Sequence, residues 1–507
     1  FLIAPRVTIS HYSIQLDLAR ILGKKMFFFP LALPLLAALT PRRYDIRIIS
    51  EDMEPLPKDD VPDIVGITTV VSTIARAYEI ADDYRARGVP VVMGGSYATF
   101  MTDEVLGHAD SVVVGEAEGV WEGLLRDFEA GSLKRVYRAD VLPPFRRSPL
   151  PRWDLVDMNA VMLRGIEVSR GCPHKCEFCL ATRMFGTRMR FRDIDDVVDE
   201  IRAFPGKRLF FVDDNLAASR PYLRRLVARL RPLGLSWFCQ VTADIGDDED
   251  LLRDMAGAGC MTVVIGFESL NPESLQETHK MQRAERYESV IAKIHALGMH
   301  CTGSFIVGFD ADTLEAFDHI LAFVRKTNLW FVLLSVLTAA PGTALRERMQ
   351  REGRLLDVGN VYLTGMVPNM QYRNMSAVEL FDRHLEALKK LVDYDDVRAR
   401  ALRLFGGGDF YSEGGGEVSF LEKVYTSLVL LRHFLLTADA SKRRLLIDLF
   451  ALMRRGKVSP DHVVTVLLNM QAFNEWIDAS ASYRPQVRAM IAKLDRGPMA
   501  AGAKPPR

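Results

Sequence analysis

Short apolar runs alternate with amphipathic stretches over the first two thirds of the chain, and beyond residue 364 only amphipathic stretches remain. A strand-length apolar run followed by a helix-period stretch is the sequence form of a parallel sheet, because each parallel strand needs a crossover to reach the next. Between residues 1 and 130 this pattern predicts strands at 1–5, 45–49, 63–69, 89–94 and 111–115, with helices at 72–87 and 118–129. In such sheets a ligand sits beyond the carboxyl ends of the strands. That edge carries Thr69, Val70 and Ser72, then Gly94, Gly95 and Ser96, then Gly115 and Glu116. The glycines admit a ligand close to backbone amides and the hydroxyls can bond a polar rim. There is no GxGxxG, and a Gly-Gly pair serves equally well as a tight strand-to-helix turn.

Prolines 143, 144, 149 and 151 interrupt regular structure and mark residues 131–164 as a connector, with Trp153 expected to pack. Strand and helix patterns then alternate six times. The predicted strands are 165–169, 208–212, 236–241, 262–267, 300–308 and 329–337, with helices such as 194–204 and 314–327 between them. Right-handed crossovers roll such a sheet into a barrel with its chemistry at the strand carboxyl ends, and six strands leave it partial and open. The residues at those ends include Asp213, Asp214 and Asn215, then Glu268 and Ser269, then Ile306, Gly308 and Phe309. A polar residue there can also merely cap the next helix, as expected of Asn271 and Asp312.

Helices are predicted at 376–392, 418–436, 441–454 and 459–477, the first behind a capping box of Ser376 and Glu379. The glycine-rich stretch 405–417 reads as a hinge and the tail from 496 as disordered. This helical appendage would cover the barrel mouth and select the substrate, or pack against the core, or dimerise.

Composition narrows the function classes. With 49% hydrophobic and 26% charged residues the chain reads as an ordinary soluble globular protein. Its 65 basic residues balance 65 acidic ones, so charge gives no support to nucleic-acid binding. The most apolar segment, 26–40, is fifteen residues broken by Pro30 and Pro34, too short for a spanning helix, and reads as a buried turn leading into a helix. The chain opens at Phe1 in a strand-like FLIAP with no signal-peptide pattern, as if a few leading residues were missing. Six cysteines, three of them clustered, suit a reducing cytoplasm and not a disulfide framework.

Those three are the strongest chemical signal. Cys172, Cys176 and Cys179 form CxxxCxxC after a strand, a spacing expected by chance in on the order of one such chain in a thousand. Three thiolates on a Gly/Pro-containing loop suit an iron–sulfur cluster held through three irons, with the fourth iron open. A structural zinc site with His174 as fourth ligand is the alternative, but no second Cys/His half exists. Cys239, Cys260 and Cys301 lie in apolar runs and read as buried small hydrophobes.

With Phe178 before the third cysteine, the motif resembles that of the radical S-adenosylmethionine (SAM) enzymes. The resemblance implies a 4Fe-4S cluster on the three cysteines, SAM chelated to the open iron, and reductive cleavage to a 5′-deoxyadenosyl radical. It further implies Glu268 or Ser269 at the ribose, Asp213 near the methionyl amine, and Ile306 to Phe309 along the adenine; the VDDN of 212–215 is a form its cobalamin-binding members show. Residues 1–130 resemble the cobalamin-binding domain of those members through the order DIVGIT, VPVVMGG and DSVVVGEAE. The DxHxxG that supplies a histidine to cobalt is absent, and Tyr97 stands where many members have histidine, so a corrin would be held without a protein histidine ligand.

The expected fold is therefore α/β: a Rossmann-like cobalamin-binding domain at 1–130, a linker at 131–164, a partial (β/α)6 radical SAM barrel at 165–350, an all-helical domain at 351–495 and a tail at 496–507. The implied function is a cobalamin-dependent C-methyltransferase acting on an unactivated carbon. The alternatives are a cyclase or oxidase of a tetrapyrrole or lipid using the same cofactors, and a non-enzymatic cluster protein. The expected partners are a small-molecule substrate, for which a lipid is one candidate class, and an electron donor such as flavodoxin or ferredoxin.

Overall fold

Six parallel strands build the first sheet, in the order β2-β1-β3-β4-β5-β6. They are β1 (Leu2–Ala4), β2 (Ile48–Ser50), β3 (Val65–Thr68), β4 (Val91–Gly94), β5 (Ser111–Val114) and β6 (Val136–Arg138). Ile3, Val65, Val91 and Val112 are wholly buried, as strands covered on both faces require. One face packs on α3 (Ile74–Ala86) and the short α4 (Ser96–Phe100) and α5 (Thr102–Val105). The other packs on α2 (Ala32–Leu39) and α6 (Trp121–Glu129), while α1 (His11–Ile21) turns its Ile14 and Leu18 into the core of the second sheet. The apolar segment 26–40 is thus a buried turn followed by a helix. The edge strand β6 falls in the predicted connector; its alternation of exposed and buried positions is too short to show as a period. Trp153 packs edge-to-face on Phe204, ring centroids 5.4 Å apart, and donates to Glu200.

The computed structural model describes residues 1–7, 11–146, 148–204, 206–277, 280, 282–359, 365–407, 410 and 420–497. Most of the predicted glycine-rich hinge at 405–417 and the predicted tail beyond 497 lie outside these residues.

A second six-stranded parallel sheet runs in the order β14-β13-β12-β11-β10-β7. Its strands are β7 (Arg164–Ile166), β10 (Arg208–Phe211), β11 (Ser236–Val241), β12 (Cys260–Glu268), β13 (His300–Val307) and β14 (Val332–Val336). Between β7 and β10 a two-residue antiparallel pair, β8 (Ser169–Arg170) and β9 (Arg190–Phe191), pinches the base of the cysteine loop around α7 (Ala181–Phe185). The crossovers carry α8 (Ile194–Ala203), α9 (Arg220–Leu230), α10 (Glu249–Gly257), α11 (Pro272–Glu277), α12 (Tyr287–Ala296) and α13 (Ala316–Thr327), with α14 (Ala344–Arg351) after the last strand. Asn271 caps α11 through the Glu273 amide, as expected, but Asp312 does not cap the helix that follows it. Its carboxylate reaches back to the Gly308 and Phe309 amides and accepts from Ser274, fixing the end of β13. Cys239, Cys260 and Cys301 are buried within strands.

The remaining helices are α15 (Ala377–Leu391), α16 (Tyr394–Gly407), α17 (Phe420–Leu430) with a π-helical turn at Leu431–Leu435, α18 (Ala440–Arg454), α19 (Pro460–Ser480) and α20 (Arg484–Leu494). The Ser376/Glu379 capping box opens α15. Helices α16 and α19 close the amino-terminal ends of the barrel strands: Arg400 donates to the Leu329 carbonyl, Arg208 pairs with Asp461 at 3.1 Å, and His300 and His462 meet edge-on at 4.5 Å. They floor the barrel and do not cover its mouth. Residues 354–359 and 365–374 lie at the mouth instead, tied down by Arg354 to Asp310 at 2.6 Å, Asn374 to the Asp310 carbonyl and Tyr372 to the Leu337 carbonyl.

Candidate active site

The cysteine loop leaves β8 through Gly171 at φ +97°, a left-handed turn whose missing Cβ would press on the Arg188 carbonyl. Cys172 donates its amide to the Gly186 carbonyl and Cys179 donates to the Cys176 carbonyl, so backbone bonds preshape the loop. The three thiols are free, half-buried and close enough for each charge to bear on the others. Burial pushes Cys176 up to about 12 and Cys179 up to about 11, so the bare thiols stay protonated and thiolates form only where a metal compensates them. Among the described residues no three Cys, His, Asp or Glu side chains converge on one point as a single metal ion demands. Three thiols on one loop are a donor set that fits a cluster with one iron per thiolate.

Around this loop the strand ends supply polar groups. Glu268, at the end of β12, holds a left-handed φ of +64°, unusual for a residue with a side chain. Its carboxylate accepts from Lys280 at 2.7 Å, both side chains being buried, and Lys280 also donates to the Gly266 carbonyl at 2.8 Å. The Lys280 ammonium acts electrostatically on Cys176 and Cys179. Strain at Glu268 together with a buried cation beside the thiols marks an acceptor and a donor at the mouth. Lys280 has no signal in the sequence, since it comes from the loop after α11 and belongs to no motif.

Ser269 accepts from the Asn271 amide and turns the chain out of β12. Asp213 is buried, accepting from the Val168 amide at 3.2 Å and from the Ser169 amide and hydroxyl at 2.5 Å, and burial pushes its carboxyl up to about 7. It anchors the strand that leads into the cysteine loop. Its neighbour Asp214 is exposed at the mouth, where the surrounding protein and Glu167 push its carboxyl up to about 6. Asn215 is buried with its side-chain oxygen unpartnered among the described residues. Ile306 is half-buried at the end of β13, Gly308 takes φ +120° beneath Tyr372, and Phe309 meets Phe178 edge-on at 6.0 Å.

The carboxyl edge of the first sheet faces this loop across a cavity of about 240 Å³. Leucines from α2, Trp121, Gly94, Gly95, Gly115, Glu116 and Glu118 line it from one side, and Glu167, Arg170, Phe185 and Val212 from the other. At Gly115 a Cβ would meet open space, which leaves the backbone bare to a ligand. At Gly95, φ +101°, a Cβ would overlap the Thr69 carbonyl. Thr69, Val70, Ser72 and Ser96 do not line the cavity; Thr69 is buried and binds Gly94 and Ala98 instead. Among the described residues no histidine lines it, and Tyr97 donates to Glu104. Its largely apolar walls and bare glycine backbone suit contact with one part of a bulky heterocyclic cofactor, the rest of which would extend beyond this volume.

The arginines after the cysteines divide. Arg190 grips both Glu116 oxygens, Arg192 pairs with buried Glu200 at 2.5 Å, Arg183 makes an exposed pair with Glu347, and Arg188 is exposed. Arg170 reaches Glu116 and Glu118, each at 2.5 Å, and Glu167 at 3.1 Å.

Comparison with known proteins places this geometry. Residues 166–324 match the Radical SAM superfamily and residues 30–125 the B12 binding domain. The chain is 33% identical over 343 residues, 65% of its length and 75% of the relative's, to the bacteriochlorophyllide d C-12(1)-methyltransferase of Chlorobaculum tepidum. It is 26% identical over 421 residues, 79% of its length and 80% of the relative's, to the hopanoid C-2 methylase of Rhodopseudomonas palustris. The fold is similar, at a TM-score of 0.61 and 15% identity over 97% of this chain and 83% of the other, to the cobalamin-dependent S-adenosylmethionine radical enzyme OxsB with aqua-cobalamin and S-adenosylmethionine bound.

Proposed function

The chain belongs to the cobalamin-binding radical SAM enzymes, and from that premise we propose that it is a C-methyltransferase acting on an unactivated carbon of a hydrophobic small molecule, tetrapyrrole-like or lipid-like. One observation carries the reading: the carboxyl edges of both parallel sheets open on each other, so that groups held on the two edges can act on one substrate between them. When bound, the cluster supplies the electron that cleaves SAM reductively and the corrin carries the methyl group.

The chain's own task is to hold, orient and seal. Cys172, Cys176 and Cys179 would hold the cluster. Glu268, with its backbone strained toward the mouth, would accept the ribose hydroxyls alongside Ser269, leaving Lys280 to meet the SAM carboxylate. Asp214, exposed beside the thiols, suits the methionyl amine better than Asp213, whose oxygens are occupied by Val168 and Ser169. Ile306, Gly308 and Phe309 would flank the adenine, and the contact of Phe178 with Phe309 would help keep water from the cluster. Gly94, Gly95, Gly115 and Glu116 would border the corrin. An electron donor of the flavodoxin or ferredoxin class in a reducing cytoplasm completes the reading.

The test is anaerobic reconstitution with iron, sulfide and hydroxocobalamin, then incubation with a pigment and lipid extract and SAM deuterated at its methyl group. Methylation gives S-adenosylhomocysteine together with deoxyadenosine and a deuterated product. Deoxyadenosine without S-adenosylhomocysteine would replace the reading with a cyclase or oxidase.

A further inference from the structure

Large apolar side chains exposed on this protein are not scattered. Of fourteen among the described residues, eight fall between residues 424 and 450, on α17, its π-helical turn and α18. Leu428, Leu431 and Leu435 recur at helical spacing and are 58%, 37% and 44% exposed; Leu436 beside them is 73% exposed, and Ile447 and Phe450 continue the patch on α18. Single exposed leucines need no explanation, but a contiguous patch on two packed helices does.

The charge of the same hairpin departs from that of the chain. The whole protein carries equal numbers of acidic and basic residues, whereas residues 420–457 carry eight Lys/Arg against three Asp/Glu. Two of those acids are turned to internal work: Asp439 caps α18 through the Ser441 amide and Asp448 binds Arg398. Among the described residues no carboxylate pairs with Arg432, Arg454, Arg455 or Lys457, and all four are exposed. Leucines flanked by unpaired cations are the composition of a segment lying in the plane of an anionic bilayer, apolar face down.

Other occupants fit less well. The adjoining stretch 411–419, YSEGGGEVS, brings only two large apolar side chains and cannot cover six. A second copy would set one basic hairpin against another. No described helix is long and apolar enough to cross a membrane, so the patch suits surface docking and not insertion through the bilayer. We propose that the α17–α18 hairpin docks this protein reversibly on an anionic lipid surface. The proposal is independent of the methyltransferase reading, because the hairpin packs on α16 and α19, at the barrel floor and not at the strand ends that carry the candidate cofactor residues.

The test uses the full chain, reconstituted with its cluster, in flotation with phosphatidylcholine vesicles with and without phosphatidylglycerol. The expected result is flotation with the anionic vesicles, at least tenfold weaker on phosphatidylcholine alone and at raised salt. Leu431→Ser with Leu435→Ser, and separately Arg454→Glu with Arg455→Glu, should each weaken it tenfold or more with iron content and circular dichroism unchanged. Absence of flotation, or equal flotation of both variants and wild type, would overturn the proposal. So would a dimer in light scattering that the leucine variant converts to monomer, since that result assigns the patch to a second copy.

Discussion

Arg170, two residues before the first cluster cysteine, and Glu116, at the carboxyl edge of the other sheet, are buried together at 2.5 Å. Arg190 holds the same carboxylate from the strand that closes the cysteine loop. The cavity edge and the cysteine loop are therefore one mechanical unit.

Glu116→Gln should lower stability by about 3 kcal/mol, because the buried Arg170 and the half-buried Arg190 lose a charged partner; Glu118 and Glu167 keep Arg170 partly compensated, which holds the loss near the lower end of the range for a broken buried pair. Denaturant midpoints of the variant against wild type check this. An unchanged midpoint would mean that water replaces the carboxylate at no cost.

Alanine at Cys172, Cys176 or Cys179 should each abolish iron and sulfide incorporation, whereas alanine at Cys239, Cys260 or Cys301 should leave both intact. Those last three line the barrel core and face no loop. Metal and acid-labile sulfide content after anaerobic reconstitution separates the two sets, and one zinc per chain would reverse the assignment.

Glu268→Ala should weaken SAM binding by roughly tenfold or more, since a charged hydrogen bond in a sheltered site is worth about 1.5–3 kcal/mol and 1.4 kcal/mol is one decade. Removing Glu268 also takes away the charged partner of Lys280, so Glu268→Gln, which keeps an acceptor oxygen at the same place, is the control. Equilibrium dialysis of labelled SAM against the cluster-loaded protein reads the affinity, and equal binding by both variants would remove Glu268 from the site.

Three histidines meet at the barrel floor. Burial holds His295 and His462 down to about 4, and His300, which also feels the other two, well below the ordinary 6.5. Each folded-state value lies below its unfolded value, so the unfolded chain takes up protons first as pH drops. Stability is fully present above about pH 6.5 and is lost as pH falls toward 4, by up to about 1.4 kcal/mol per pH unit per histidine. His462→Asn should flatten that decline between pH 6 and 5, read from urea midpoints by tryptophan fluorescence, since Trp330 donates to His300.

The two sheets and the cysteine loop were legible because their signals are local: strand-length apolar runs at regular spacing, and three thiols within eight residues. The floor, the strap and the latch were not. Arg170 and Glu116 are 54 residues apart and Arg354 and Asp310 are 44 apart, and no periodicity records which charge will meet which. Strand-end position puts Asp213 just past β10, but its partners Val168 and Ser169, which take up its oxygens, come from the segment that follows the neighbouring strand β7. An appendage of amphipathic helices reads alike whether it roofs a barrel or floors it, and only contacts such as Arg400 with Leu329 decide.

A corrin seated against the wall shared by the two sheets would tie the fate of the polypeptide to the supply of that cofactor. A ligand filling a wall shared by both halves stabilises the folded chain by RT ln(1 + [L]/Kd), about 2.7 kcal/mol at a hundredfold excess over Kd. A cell short of the corrin would then lose this protein to proteolysis as well as lose its turnover, and abundance would follow nutrition before any transcript changed.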